Sequence, residues 1–267
     1  MGSFMTYRFA LVTGASSGIG AAIAAELPAE TGLLLTGRDA TALDAVKARL
    51  ATGARRVETV VADLAGDPGR QLVIERASAA SVDLLVCSAG LGRLGRVVDN
   101  SPECERQMVE VNVVATVVLT RALLPGMIAR AQAESRRAGV IIVASVAGFL
   151  TLPYFTTYAA SKAFDLHYGE ALAAELAGEP VDVLALCPGA TKTAFGGRAA
   201  MPAKVFKNGD SAAEVARQGL AALGRRPVHV VGALNRANTL VPRLLPRKLA
   251  ATGAARVLGR MSRAGSS

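Results

Sequence analysis

Tyr158 and Lys162 stand four residues apart in the stretch Tyr158-Ala159-Ala160-Ser161-Lys162. On a helix that spacing puts both side chains on one face. An ammonium beside a phenol favours the phenolate, so Lys162 is expected to pull the phenol below its reference pKa of about 10. A tyrosine tuned toward neutrality can give a proton to a carbonyl oxygen or take one from an alcohol. Ser145 follows the apolar run Val140–Ala144. A hydroxyl at the end of a buried strand can hold the same oxygen. Alone, the Tyr–Lys spacing also suits an exposed helix face, so the elements around it must decide.

Those elements alternate. Short apolar runs at Phe9–Val12, Leu33–Thr36, Val57–Val61, Leu84–Val86, Val140–Ala144, Val181–Leu186 and Val228–Val231 read as strands. Helical spacing lies between them, including a long stretch from Glu103 to Arg130 that Pro125-Gly126 is expected to interrupt, and one from Tyr158 to Leu176. Continuous apolar strands alternating with helices predict an α/β fold: a Rossmann-type, doubly wound, parallel sheet of about seven strands with helices on both faces. Such sheets bind ligands beyond the carboxyl ends of their strands. Arg38, Asp63, Ser88–Gly90, Ser145 and Pro188-Gly189 each follow a predicted strand, so they share one edge.

Composition narrows the function. Of 267 residues, 51% are hydrophobic and 19% charged, which suits a packed core rather than disorder. Trp is absent and aromatics are 4%, against a stacking surface for nucleic acid. Cys87, Cys104 and Cys187 are widely spaced and only His167 and His229 join them, so no metal site and a reducing, cytoplasmic setting are expected. Met1 to Phe9 lacks the basic and apolar regions of a secretory leader. Ala138–Ser161 is uncharged, but its Gly, Pro and hydroxyl residues read as strand and loop rather than a membrane span. Residues 201–267 hold 12 basic against 2 acidic residues, while the rest of the chain is nearly neutral.

Gly14, Gly18 and Gly20 lie between the first strand and first helix, in Gly14-Ala15-Ser16-Ser17-Gly18-Ile19-Gly20. Glycines there let a backbone approach a pyrophosphate, and the helix N-terminus offers free N–H groups to it. With Thr13–Gly20, Cys87–Gly90, Asn112, Ser145, Tyr158, Lys162 and Pro188-Gly189 in order, the chain resembles the classical short-chain dehydrogenase/reductase family from about Arg8 to Val231. The resemblance implies a nicotinamide cofactor, hydride transfer at a carbonyl or alcohol, and Asn112, Ser145, Tyr158 and Lys162 as catalytic set. It also implies cofactor contacts from the glycine loop, from Asp63 with Leu64, from Ser88, Ala89 and Gly90, and from Tyr158, Lys162, Pro188, Gly189, Thr191 and Thr193. A homodimer or homotetramer is typical of the family.

One departure stands out. The family usually carries Asn where this chain has Cys87, and that Asn braces the sheet. Packing must substitute here. At the end of strand two, Gly37 occupies the place of the acid that binds the ribose of NAD, and Arg38 follows. A guanidinium fork suits a 2′-phosphate, and Ser17 adds a hydroxyl, so NADP(H) is favoured over NAD(H). Arg38 as a solvent-facing loop charge is the alternative. Asp39 is expected to cap the next helix. By the same resemblance Asp63 contacts the adenine; a helix cap is the alternative. Asn112 is read as positioning a water linked to Lys162, against a satisfied structural amide.

The segment 190–210 reads as a lid. Phe195 and Phe206, with Leu91, Phe149, Leu152, Tyr154 and Phe155, suggest a pocket for a small apolar carbonyl or alcohol, unless they are core or subunit contacts. Two units are expected, a nucleotide-binding catalytic domain at 6–234 and a basic amphipathic tail at 235–267. Pro242 and Pro246 forbid one long helix in the tail. It could pack on the sheet's end and close the pocket, or lie on an anionic membrane surface. The expected activity is NADP-dependent reduction of a ketone, aldehyde or keto-acyl group. NAD-linked alcohol oxidation is the alternative enzyme, and a non-catalytic cofactor-binding regulator or membrane-surface module the alternative of another class.

Overall fold

Runs of leucine, valine and isoleucine with no charge to solvate form the strands at the centre of the protein. The computed structural model describes residues 7–53, 55–244 and 246–264. Its strands are β1 (Phe9–Thr13), β2 (Gly32–Gly37), β3 (Val57–Val61), β4 (Leu84–Cys87), β5 (Ala138–Val143), β6 (Val181–Cys187), β7 (Thr191–Lys192), β8 (Asp210–Ser211) and β9 (Val228–Val230). Its α-helices are α1 (Gly18–Glu26), α2 (Ala40–Leu50), α3 (Asp67–Ala79), α4 (Pro102–Val109), α5 (Ala115–Ala133), α6 (Thr156–Glu175), α7 (Phe195–Arg198), α8 (Ala212–Ala222), α9 (Ala233–Leu244) and α10 (Arg247–Ala264).

Seven strands form a sheet in the order β3-β2-β1-β4-β5-β6-β9, every pair parallel. β1, β4 and β5 are buried at every position, as a sheet covered on both faces requires. On one face Ile23, Leu43 and Val215 pack against Leu33, Leu35 and Val86. On the other, Val73, Leu119, Met127 and Leu172 pack against Leu11, Leu85 and Val140. The strand order reverses between β1 and β4, so the loops after those two strands meet at the sheet's carboxyl edge.

Three boundaries differ from expectation. The long helical stretch continues through Pro125, which lies on its exposed face, where the carbonyl freed by proline can meet water. The break is at Glu110–Val114, a π-helical turn between α4 and α5. Such a wide turn resets the side-chain phase, and here it turns Val111 and Asn112 inward. The segment 190–210 is no plain loop. β7 and β8 pair at its base, with α7 between them. Although Pro102–Ala133 is long and apolar enough to cross a membrane, half of its most apolar window is buried against the protein.

The tail forms α9 and α10, which meet at Pro246. Pro242 falls within α9 rather than ending it. Met1–Phe4 and the side chains of Leu240, Val241, Arg243, Leu244, Leu245, Arg247 and Arg263 lie outside the described residues.

Candidate active site

The strand ends deliver their residues to one cavity of about 330 Å³. From the β3–β1 side come the glycine loop, Ser16, Ser17, Arg38, Asp63 and Leu64; from β4 Ser88–Gly90; and from the β5–β6 side Ser145, Pro188–Thr191 and Thr193, with Tyr158 and Lys162 of α6. The glycine loop is built for close approach. Gly14 and Gly18 have φ of +65° and +61°, where an L side chain is strained. A Cβ on Gly14 would stand 2.8 Å from the Ala89 Cα, so the β1 and β4 loops touch only because that position is bare. Ser17 is the N-cap of α1, but its hydroxyl makes no capping bond and no acid occupies the first turn. The first N–H groups of α1 therefore keep their affinity for an anion.

Thr13 holds the two loops in register. Its Oγ1 accepts from Ser88 N at 2.9 Å and Ala89 N at 3.0 Å and donates to Val86 O at 3.3 Å. This hydroxyl supplies polar bracing where Cys87, buried in β4, offers only packing.

Ser145 ends β5 and caps a short 3₁₀ turn. Its Oγ accepts from Ala147 N at 3.1 Å and donates to Pro188 O at 3.4 Å. One helical turn of α6 then brings Tyr158 and Lys162 to the same wall. The Tyr158 ring stacks on Phe155 at 4.3 Å between centroids and tilts against Phe195 at 5.3 Å. This apolar enclosure has an electrostatic cost. Burial pushes the Tyr158 phenol above its ordinary value; the Lys162 charge and a hydrogen bond with Ser145 pull it down without cancelling the rise. The expectation of a phenol lowered by Lys162 is thus corrected: the cation acts in the expected direction, but desolvation is larger.

Lys162 is 6% exposed. Its Nζ donates to Val143 O and to Asp165 Oδ2, each at 2.8 Å. Asn112 lies beside this pair, but its amide is already committed. Oδ1 accepts from Leu91 N at 2.8 Å; Nδ2 donates to Leu91 O and to Ser161 Oγ, each at 2.9 Å. The side chain ties α6 and the π-helical turn to the loop at Leu91, with both of its amide hydrogens committed.

A profile of the short chain dehydrogenases matches residues 8–202. The chain belongs to the short-chain dehydrogenase family. Bovine dehydrogenase/reductase SDR family member 7B is 33% identical over 254 residues, covering 86% of this chain and 75% of its own. The 1-deoxy-11-beta-hydroxypentalenate dehydrogenase of Streptomyces exfoliatus is 38% identical over 195 residues, covering 70% and 68%. Among solved structures, a short-chain dehydrogenase from Sphingobium yanoikuyae in complex with NADPH superposes with a TM-score of 0.77 at 28% identity, covering 89% of this chain and 93% of that one. One from Burkholderia cenocepacia in complex with NADP gives 0.73 at 27% identity, covering 91% and 94%. The chain is therefore an oxidoreductase of this class, and a nicotinamide cofactor fits the glycine cradle and bare helix end described above.

Within this short-chain dehydrogenase, Arg38 is exposed on the cavity wall and makes no ion pair among the described residues. Asp39 caps α2, accepting from Ala42 N at 2.9 Å. Asp63 caps no helix: it folds onto Ala65 N at 3.1 Å, while Gly66 is the N-cap of α3. Thr191 donates to Gly189 O at 3.1 Å and Thr193 accepts from Phe195 N at 3.2 Å. A Cβ on Gly18 would meet Thr193 at 3.3 Å, so the lid's base reaches the glycine loop.

Two predicted pocket residues are displaced. Phe149 packs beneath the sheet edge with Leu166, Ala185 and Cys187, away from the cavity. Tyr154, at φ +67°, is half-buried in the cluster beside the cavity and packs against Gly259 of α10 without lining the cavity. Leu91, Phe195 and Phe206 do line the cavity, with Leu152 and Phe155. Met201 and Leu258 were not anticipated there. Their signal, an apolar residue in the lid and one in a basic tail helix, does not reveal its partner without the fold. His167 is exposed on α6 and takes no part in the cavity.

Proposed function

We propose that the protein is an NADP-dependent reductase of a ketone, aldehyde or keto-acyl group on an apolar substrate. The observation that carries this reading is the two-ended chemistry of one cavity: Arg38 with Ser16 and Ser17 at one end, Tyr158 among Leu152, Phe155, Phe195 and Leu258 at the other. A bound nicotinamide would supply the hydride. Gly37 presents no carboxylate to a ribose hydroxyl, while Arg38 is free to pair with a 2′-phosphate. Solved relatives hold NADPH, NADP or NAD, so the choice rests on Gly37 and Arg38.

On substrate binding the Ser145 hydroxyl turns from its long bond to Pro188 O and donates its hydrogen to the substrate carbonyl oxygen, and Tyr158 delivers its phenolic proton to the same oxygen. Burial holds the Tyr158 phenol above its ordinary value, so it carries the proton that reduction needs. Lys162 has three N–H donors, and Val143 and Asp165 take two. The third remains for a ribose hydroxyl. The apolar walls exclude water from the reacting carbon. The buried free thiols Cys87 and Cys187 fit a cytoplasmic setting.

The test is loss of NADPH absorbance against a panel of apolar ketones and aldehydes, with NADH in parallel. Turnover with NADPH ahead of NADH is expected. Turnover only with NADH, or none with a protein that binds NADPH, would overturn the reading.

A further inference from the structure

Lys162 does not enter its site alone. Asp165 lies one helical turn further along α6, and its Oδ2 accepts from Lys162 Nζ at 2.8 Å. Both are nearly sealed from water: the side chains are 7% and 2% exposed. Oδ1 of Asp165 has no hydrogen-bond partner among the described residues. A buried carboxylate with one unsatisfied oxygen is a costly way to fill space on a helix that faces β6. An apolar side chain at this position would leave the buried Lys162 ammonium without a counter-charge.

We propose that Asp165 is a positioning residue of the carbonyl reduction, which orients the Lys162 ammonium and offsets its charge at Tyr158. The proposal rests on the reductase reading above. The geometry gives two effects. With Val143 O, Asp165 consumes two of the three ammonium donors and so aims the third. Its negative charge also opposes proton loss from both Tyr158 and Lys162, because removing a proton from either leaves the cluster more negative.

The groups around the pair contribute no competing charge at neutral pH. Cys87 faces it from β4 and Cys187 from β6, and burial pushes each thiol up to about 12. Val143 from β5 offers a carbonyl. Asn112 of the π-helical turn and Ser161 are neutral and bonded to each other. Glu170, further along α6, bears on Cys187 and is half exposed.

The chain holds four tyrosines, so carbon-13 labels at tyrosine Cζ give few enough signals to follow singly. Lysine Cε is labelled in parallel. Tyr158→Phe and Lys162→Met identify the two signals. In Asp165→Asn the first ionisation of the Tyr158–Lys162 pair should move to lower pH, by about one unit. If Asp165→Asn does not fold, Asp165→Leu removes the charge together with its need for partners and carries the same expectation. An unchanged or raised first ionisation in a folded variant overturns the proposal. This readout needs neither cofactor nor substrate. A wild-type protein that turns over no carbonyl would sink the reductase reading and leave the titration result standing.

Discussion

At the scale of single residues the chemistry turns on Tyr158. Replacing it with Phe removes the proton-transferring oxygen and keeps the ring that stacks on Phe155. General acid catalysis contributes about 10²–10⁴-fold. Turnover of Tyr158→Phe should fall by that much, with NADPH affinity within a few-fold. A variant that keeps more than about a tenth of the rate means another group is the acid. Cofactor choice is argued at Arg38. Charge-assisted hydrogen bonds are worth about 1.5–3 kcal/mol, and exposure keeps Arg38 near the low end, on the order of ten- to a hundredfold in favour of NADPH. Gly37→Asp with Arg38→Leu should reverse the ratio of kcat/KM between NADPH and NADH. The new side chain must displace Ser16 slightly, because a Cβ on Gly37 stands 3.2 Å from the Ser16 hydroxyl. If the ratio does not move, Arg38 does not read the phosphate. That Ser145, Tyr158 and Lys162 share one cavity was legible in the sequence, because the helical spacing and the strand end place them together. Thr13 and Asp165 were not, because their importance comes from burial and from a neighbour across the fold. Phe149 and Tyr154 pack in clusters beside the cavity rather than in its lining, which an apolar stretch of sequence does not distinguish.

At the scale of elements, the alternation of buried strands and helices was legible, since a strand covered on both faces leaves no polar position in its sequence. What the pattern concealed was helix phase. Glu110–Val114 reads as ordinary helix, yet its π-helical turn is what faces Asn112 inward. Pro125 reads as a break, yet its position on the exposed face lets α5 continue. The tail shows the same limit. Its composition allowed a membrane surface or a packed lid, and the fold seats Leu258 in the cavity wall with Met261 in the cluster behind it. Deleting residues 247–267 should therefore raise KM for the carbonyl substrate at least several-fold while the NADPH dissociation constant stays within about twofold, since every residue of the glycine loop precedes β2. Calorimetric titration of NADPH into the truncated protein checks this. An equal loss of both affinities would show that α10 supports the whole sheet edge rather than the pocket.

At the scale of the molecule, charge and apolar exposure are unevenly spread. Val109 on α4 and Phe164 on α6 are 42% and 36% exposed, and the Phe164 ring stacks on Tyr168 at 5.5 Å. Helices α4 and α6 pack side by side, so these residues form part of one outer face. The family resemblance implies a homo-oligomer through these helices; if it forms here, Phe164→Glu together with Val109→Glu should lower the mass found by light scattering to that of one chain. A monomeric wild type, or an unchanged assembly in the variant, would place the contact elsewhere. One consequence of the α10 packing reaches beyond catalysis. The cofactor cradle and the proton-transferring groups are complete before the chain's last fifth begins, while part of the wall that meets the substrate is written at its very end. Changes in that last helix can retune which molecules are accepted without disturbing the reaction itself, so descendants of this protein have a route to new substrates through the stretch of sequence least constrained by the chemistry.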